Sequence, residues 1–161
     1  MFDAGNKGKR NGHGSHFIIM CDESGIFDAF YFVKDRISEM GNTFLSLIYT
    51  VSDKNLHPLF EHELSILEKR YSVDLIVHIL GINTTNYCIV QELIEATINS
   101  NTLPVMKFSV FGYTEFLNYV YGVLRILDVK PFMINSRIIE QNWEQDSLKV
   151  FNKKSDEIIN K

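Results

Sequence analysis

The feature that most constrains this chain is the regular exchange of two hydrophobic periods along it. Apolar runs of strand length are each followed by a stripe that recurs every three or four residues. Residues 44–51, "FLSLIYTV", are mostly apolar on both faces of an extended chain. That is the pattern of a strand covered on both sides, as in a parallel sheet. Before it, Ile26, Phe30, Val33, Ile37 and Met40 lie on one face of a helix. Gly41-Asn42 ends that helix.

The same exchange continues. It predicts strands over 16–21, 44–51, 73–80, 106–111 and 131–135. Helices are predicted over 24–40, 57–71 and 88–98, with a fourth entered at Gly112-Tyr113-Thr114. Leu56, Phe60, Leu64, Leu67 and Tyr71 form the second helix's stripe, with Pro58 in its first turn. Phe116, Val120, Val123 and Leu127 form the fourth's. The fold class is therefore α/β, a five-stranded parallel sheet with helices on both faces. Right-handed crossovers leave few topologies.

In such sheets ligands bind at the carboxyl ends of the strands, near the switch in strand order. Those ends carry Asp22-Glu23-Ser24-Gly25, Thr50-Val51-Ser52, Gly81-Ile82 and Gly112-Tyr113. The expected organisation is a flexible segment over 1–15, one α/β domain over 16–140 and a polar tail over 141–161. Trp143, Leu148 and Phe151 are the tail's few apolar points.

At 161 residues the chain is long enough for one domain with a real core. A net charge of -4 gives no basic footprint for nucleic acid. No apolar run approaches the roughly 18 residues of a membrane span, so no membrane insertion is expected. The N-terminus lacks the apolar centre of a signal peptide. Cys21 and Cys88, both in apolar surroundings, read as buried thiols of a reducing compartment. The expected location is intracellular, cytoplasmic or organellar, and not secreted. Asn83-Thr84-Thr85 matches a glycosylation acceptor by chance.

Three stretches resemble the nucleotide-binding half of the ferredoxin reductase superfamily, which includes the cytochrome b5 reductases. "CDESGIFDAF" sits where that family has a glycine-rich turn, with Ser24, Gly25 and Ile26 matching its central Ser-Gly-Ile. "LIYTVSDKNLHPLFEHELSILEKRY" looks like the family's second strand, turn and "LF..EL..L" helix. "FSVFGYTEFLNYVYGVLRILDVKPFMI" looks like its strand-four segment, with Gly112 and Phe116 in register. The likeness spans roughly residues 2–139. It implies a Rossmann-like domain that binds NADH, or NADPH, and faces an FAD held by a separate barrel domain or chain. The cofactor-binding positions it implies are Ser24, Gly25, Ile26, Thr50, Ser52, Asp53, Gly112 and Tyr113. No catalytic or metal-binding residue is assigned.

The loops depart from that pattern in ways that bear on chemistry. Asp22 and Glu23 replace the family's two leading glycines, and Phe27-Asp28 its Thr-Pro. An acid at a helix start is a good cap. It also takes the N–H groups a pyrophosphate needs, and repels that pyrophosphate. Ser52 stands where NADPH enzymes often have an arginine, and Asp53 suits a ribose hydroxyl better than a phosphate, which favours NADH; both equally suit a plain turn. Phe111 stands where the family has a cysteine near the reacting carbon, and Tyr113 offers a ring for stacking or for packing. His57, Glu61 and His62 read as a solvated helix face. His16 and His78 read as satisfied residues within strands. Three functions are consistent with this reading. One is the pyridine-nucleotide-binding half of a flavin-dependent oxidoreductase, carrying electrons from NADH to a flavin held elsewhere. Another is a degenerate domain serving as a structural or interaction subunit, and a third is the binding of some other small ligand in the same crevice. The expected partner is a flavin-binding domain or another protein subunit.

Overall fold

The computed structural model describes residues 14–38, 43–83 and 86–138. Five strands form one sheet: β1 (Ser15–Cys21), β2 (Thr43–Ser52), β3 (Leu75–Ile82), β4 (Val105–Gly112) and β5 (Ile134–Ile138). Four helices connect them: α1 (Ile26–Ser38), α2 (Glu61–Arg70), α3 (Cys88–Asn99) and α4 (Thr114–Ile126). Every pairing is parallel and the spatial order is β3-β2-β1-β4-β5. The expected fold class is thus the observed one. From β1 the chain builds outward through β2 and β3, then crosses back to lay β4 on the other side of β1. The switch in strand order therefore falls between β1 and β4.

The alternation of β1 divides the core in two. Phe17, Ile19 and Cys21 join Ile26, Ala29, Phe30 and Val33 of α1 and Leu64 of α2 on one face. Ile18 and Met20 join Val90 and Ile94 of α3 and Phe116, Val120 and Leu124 of α4 on the other. Ile18, Ile19, Met20, Leu45, Leu47 and Ile48 are fully buried. Burying each such side chain is worth about 1.5–3 kcal/mol, so the central strands anchor the domain. Buried on both faces, they have no polar alternation to show, which is why their apolar runs are continuous.

The fifth strand is shifted from its expected place at 131–135. Pro131–Met133 form a 3-10 turn, and β5 runs from Ile134 to Ile138, opposite Phe108–Gly112. Pro131 presets the dihedral of a first turn, and Met133 N–H donates to the Lys130 carbonyl. The third strand starts at Leu75 rather than Val73. A turn closed by the N–H groups of Asp74 and Leu75 on the Tyr71 carbonyl uses those residues. It then runs on through Gly81 to Ile82, because Asp53 N–H pairs with the Ile82 carbonyl. Helix α2 begins at Glu61, so Pro58 lies in the turn before it and Leu56 is 79% exposed instead of joining the stripe. Cys88 opens α3 at the surface and is exposed, contrary to the buried thiol expected, whereas Cys21 is buried. The flexible segment and the polar tail lie outside the described residues, except Gly14 and Ser15.

Candidate functional site

The turns after β1, β2, β3 and β4 meet at the carboxyl end of the sheet. Asp22 stands at the switch point. Its Oδ1 accepts the N–H groups of Ser24 at 2.9 Å and Gly25 at 3.0 Å, and the Ser24 hydroxyl at 2.6 Å. Its Oδ2 accepts the Tyr113 N–H at 3.0 Å, 91 positions along the chain. One carboxylate thus holds the turn leading into α1 and ties it to the turn leading into α4. Hydrogen bonds to a charged group are the stronger kind, so this is a built arrangement.

Both flanking glycines are required by that closeness. A Cβ on Gly25 would stand 2.2 Å from the Phe111 carbonyl oxygen. A Cβ on Gly112, whose φ is 157°, would stand 2.6 Å from Asp22 Oδ1. The glycine matched to a phosphate-binding turn is therefore needed here for packing against β4.

Glu23 does the same service one strand over. Its Oε1 accepts the Ser52 N–H at 2.5 Å and its Oε2 the Asn55 side-chain amide at 2.9 Å. Asp53 accepts the Asn83 side-chain amide at 2.8 Å. Thr50 is buried, and its hydroxyl donates to the Cys21 carbonyl at 3.3 Å, bracing β1 against β2. The structure thus brings Ser24, Gly25, Gly112 and Tyr113 together around Asp22. It gathers Ser52 and Asp53 on the neighbouring turns, and turns Ile26 into the core, 1% exposed. Asn55 and Asn83 are the participants that reading the sequence missed. Turn-forming asparagines were their only signal, and their partners are 32 and 30 positions away.

The electrostatic setting is acidic. Burial pushes the Cys21 thiol well up, and the Asp22 charge adds to it. Burial raises the Tyr49 hydroxyl strongly, with Cys21, Glu23 and Asp22 adding to the shift. Tyr87 is raised by burial, by Tyr119 and by Asp22 among others. Groups that resist ionisation around two carboxylates make a poor environment for further negative charge.

Beside the turn, α1 presents Phe27, 54% exposed, and Tyr31, 47% exposed. Their neighbour Phe60 stacks on Phe30 at 4.2 Å and meets Phe27 edge-on at 5.6 Å. Phe60 holds a left-handed φ of 66°, unusual for a bulky residue. Next to it Leu59 is 57% exposed. Among the described residues no three metal-ligating side chains gather, and no helix is long and apolar enough to cross a membrane.

No protein-family model matches this chain, and no curated protein matches it in sequence. Among solved structures, it is similar to the CS and b5R domains of human Ncb5or in an NAD+ form. The TM-score is 0.64 at 12% identity, over 80% of this chain. The chain spans 38% of that one. The likeness is one of fold.

Proposed function

We propose that this chain is a pyridine-nucleotide-side domain of the flavin reductase type whose dinucleotide seat is closed by its own carboxylates. It serves as a structural or interaction subunit in place of electron transfer. The observation that carries this reading is Asp22, which accepts Ser24 and Gly25 on one turn and Tyr113 on the facing one. A diphosphate needs backbone N–H groups of this kind. It would have to displace a carboxylate that holds four donors, and then lie beside Glu23. Each charge opposes it by about 1 kcal/mol at 4 Å in water and about 4 kcal/mol in a half-buried site. The exposed Phe27, Tyr31 and Leu59 supply the apolar surface an interaction module needs.

A second reading keeps the nucleotide: the domain binds NADH and passes electrons to an FAD held by another domain or chain. The likeness to a reductase structure in an NAD+ form favours it, as does the partly exposed Tyr113 ring beside the switch point.

Titrating the full chain with NADH and NADPH, followed by nicotinamide fluorescence, separates the two. The closed seat predicts no saturation by millimolar cofactor. It also predicts that Asp22→Gly/Glu23→Gly tightens binding at least about tenfold, equivalent to about 1.4 kcal/mol. Saturation of the unchanged protein at micromolar NADH removes the first reading and establishes the nucleotide binding that the second requires.

A further inference from the structure

At the opposite end of the sheet, α4 and the turn into β5 enclose an open cleft of about 620 Å³, within the size range of small-ligand sites. Gly122 lies along it, a glycine inside a helix, where that residue weakens the helix. Nothing lies within 4 Å of where its Cβ would stand, so no packing neighbour calls for the small residue. What the missing side chain leaves is room in the cleft.

The walls are ordered and polar at chosen points. The Tyr121 hydroxyl donates to Ser136 Oγ of β5, which fixes that ring. Asp128 and Lys130 pair with each other at 2.9 Å and so offset each other's charge. The Arg125 side chain lines the same cleft and has no hydrogen-bond or ion-pair partner among the described residues. Val129, Pro131 and Ile134 supply apolar surface. A cation in the last turn of α4 suits the helix dipole, which accounts for Arg125 alone but not for the glycine three positions before it.

We propose that this cleft binds a small carboxylate with a flat apolar body. The Arg125 guanidinium takes the carboxylate through its planar fork. The body lies over Gly122, between the Tyr121 ring and Ile134. Among the described residues of the cleft, Arg125 is the cation left without a partner, which matches one negative charge and not the two of a dianion such as hydrogen phosphate.

The test titrates the full ¹⁵N-labelled chain with three probes: benzoate, its uncharged analogue benzamide, and inorganic phosphate. The expected result is saturable benzoate shifts at the amides of Asn118, Gly122, Arg125 and Lys130. Arg125→Gln weakens benzoate about tenfold or more and leaves benzamide unchanged. Gly122→Leu abolishes both while the remaining resonances persist. Any of three results overturns the proposal: no saturable shift at these amides, benzoate binding that survives Gly122→Leu, or phosphate binding as tightly as benzoate.

Discussion

Asp22 and Tyr113 are joined across the switch point by a 3.0 Å hydrogen bond from the Tyr113 N–H to Asp22 Oδ2. The pair belongs to the turns after β1 and β4, the two strands between which the strand order reverses. In an open α/β sheet the crevice at that point is where a ligand is received. Here one side chain of the protein bridges it.

Because Asp22 accepts four donors, Asp22→Ala should destabilise the protein by about 2–3 kcal/mol, the scale of a lost cap together with charge-assisted hydrogen bonds. Urea unfolding measures this. A change within about 0.5 kcal/mol, the range of ordinary surface substitutions, would mean that the bridge contributes little.

The glycines Gly25 and Gly122 should respond to alanine with opposite signs. At Gly25 the new methyl meets the Phe111 carbonyl at 2.2 Å, so backbone must move, at a cost of about 2–3 kcal/mol. At Gly122 it meets nothing and improves a helix interior, for a gain of about 0.5–1 kcal/mol. Thermal unfolding of the two variants side by side gives the contrast.

Helix α4 ends with Val129 N–H on the Leu124 carbonyl, and Asp128 sits in the left-handed region at φ 61°. Glycine is the residue that occupies such a position without strain. Asp128→Gly should therefore stabilise by up to about 1 kcal/mol, since the exposed pair it gives up with Lys130 is worth little. A fall in the denaturation midpoint would show that pair to outweigh the backbone strain.

His16 gives stability a pH dependence. It is 2% exposed, with Nδ1 at 3.1 Å from Asn101 Oδ1 and Nε2 at 2.8 Å from Ser46 Oγ. Asn101 Oδ1 can only accept, so Nδ1 carries the proton and Nε2 accepts the Ser46 hydroxyl. Burial lowers the imidazole pKa from 6.5, opposed by the Asn101 bond. The unfolded chain then binds the proton more readily than the folded one. Stability should fall as pH drops below about 6.5 and level off once the folded imidazole is itself protonated. Urea unfolding across pH 5–8 should show this slope in the native sequence, reduced in His16→Gln. An equal slope in both would assign it to other groups.

Local order along the chain was sufficient for the architecture. Continuous apolar strands at 16–21 and 44–51, and stripes such as Ile26, Phe30 and Val33, specify the helices, the parallel sheet and its two covered faces, because burial acts on each segment through its own period. Where turn chemistry competed, the local pattern misled: Val73 and Leu56 are apolar yet lie in turns, and Pro131 opens a 3-10 turn instead of a strand. The two acids after β1 were also visible, as was their fitness to cap a helix. Their partners were not. Tyr113 lies 91 positions from Asp22, and Asn55 lies 32 from Glu23. Such pairs exist only after β1 has been set between β2 and β4. The sequence by itself determined which segments are buried; the tertiary structure decided which loops face one another, because hydrogen bonding between distant turns depends on strand order and register, which no local period encodes.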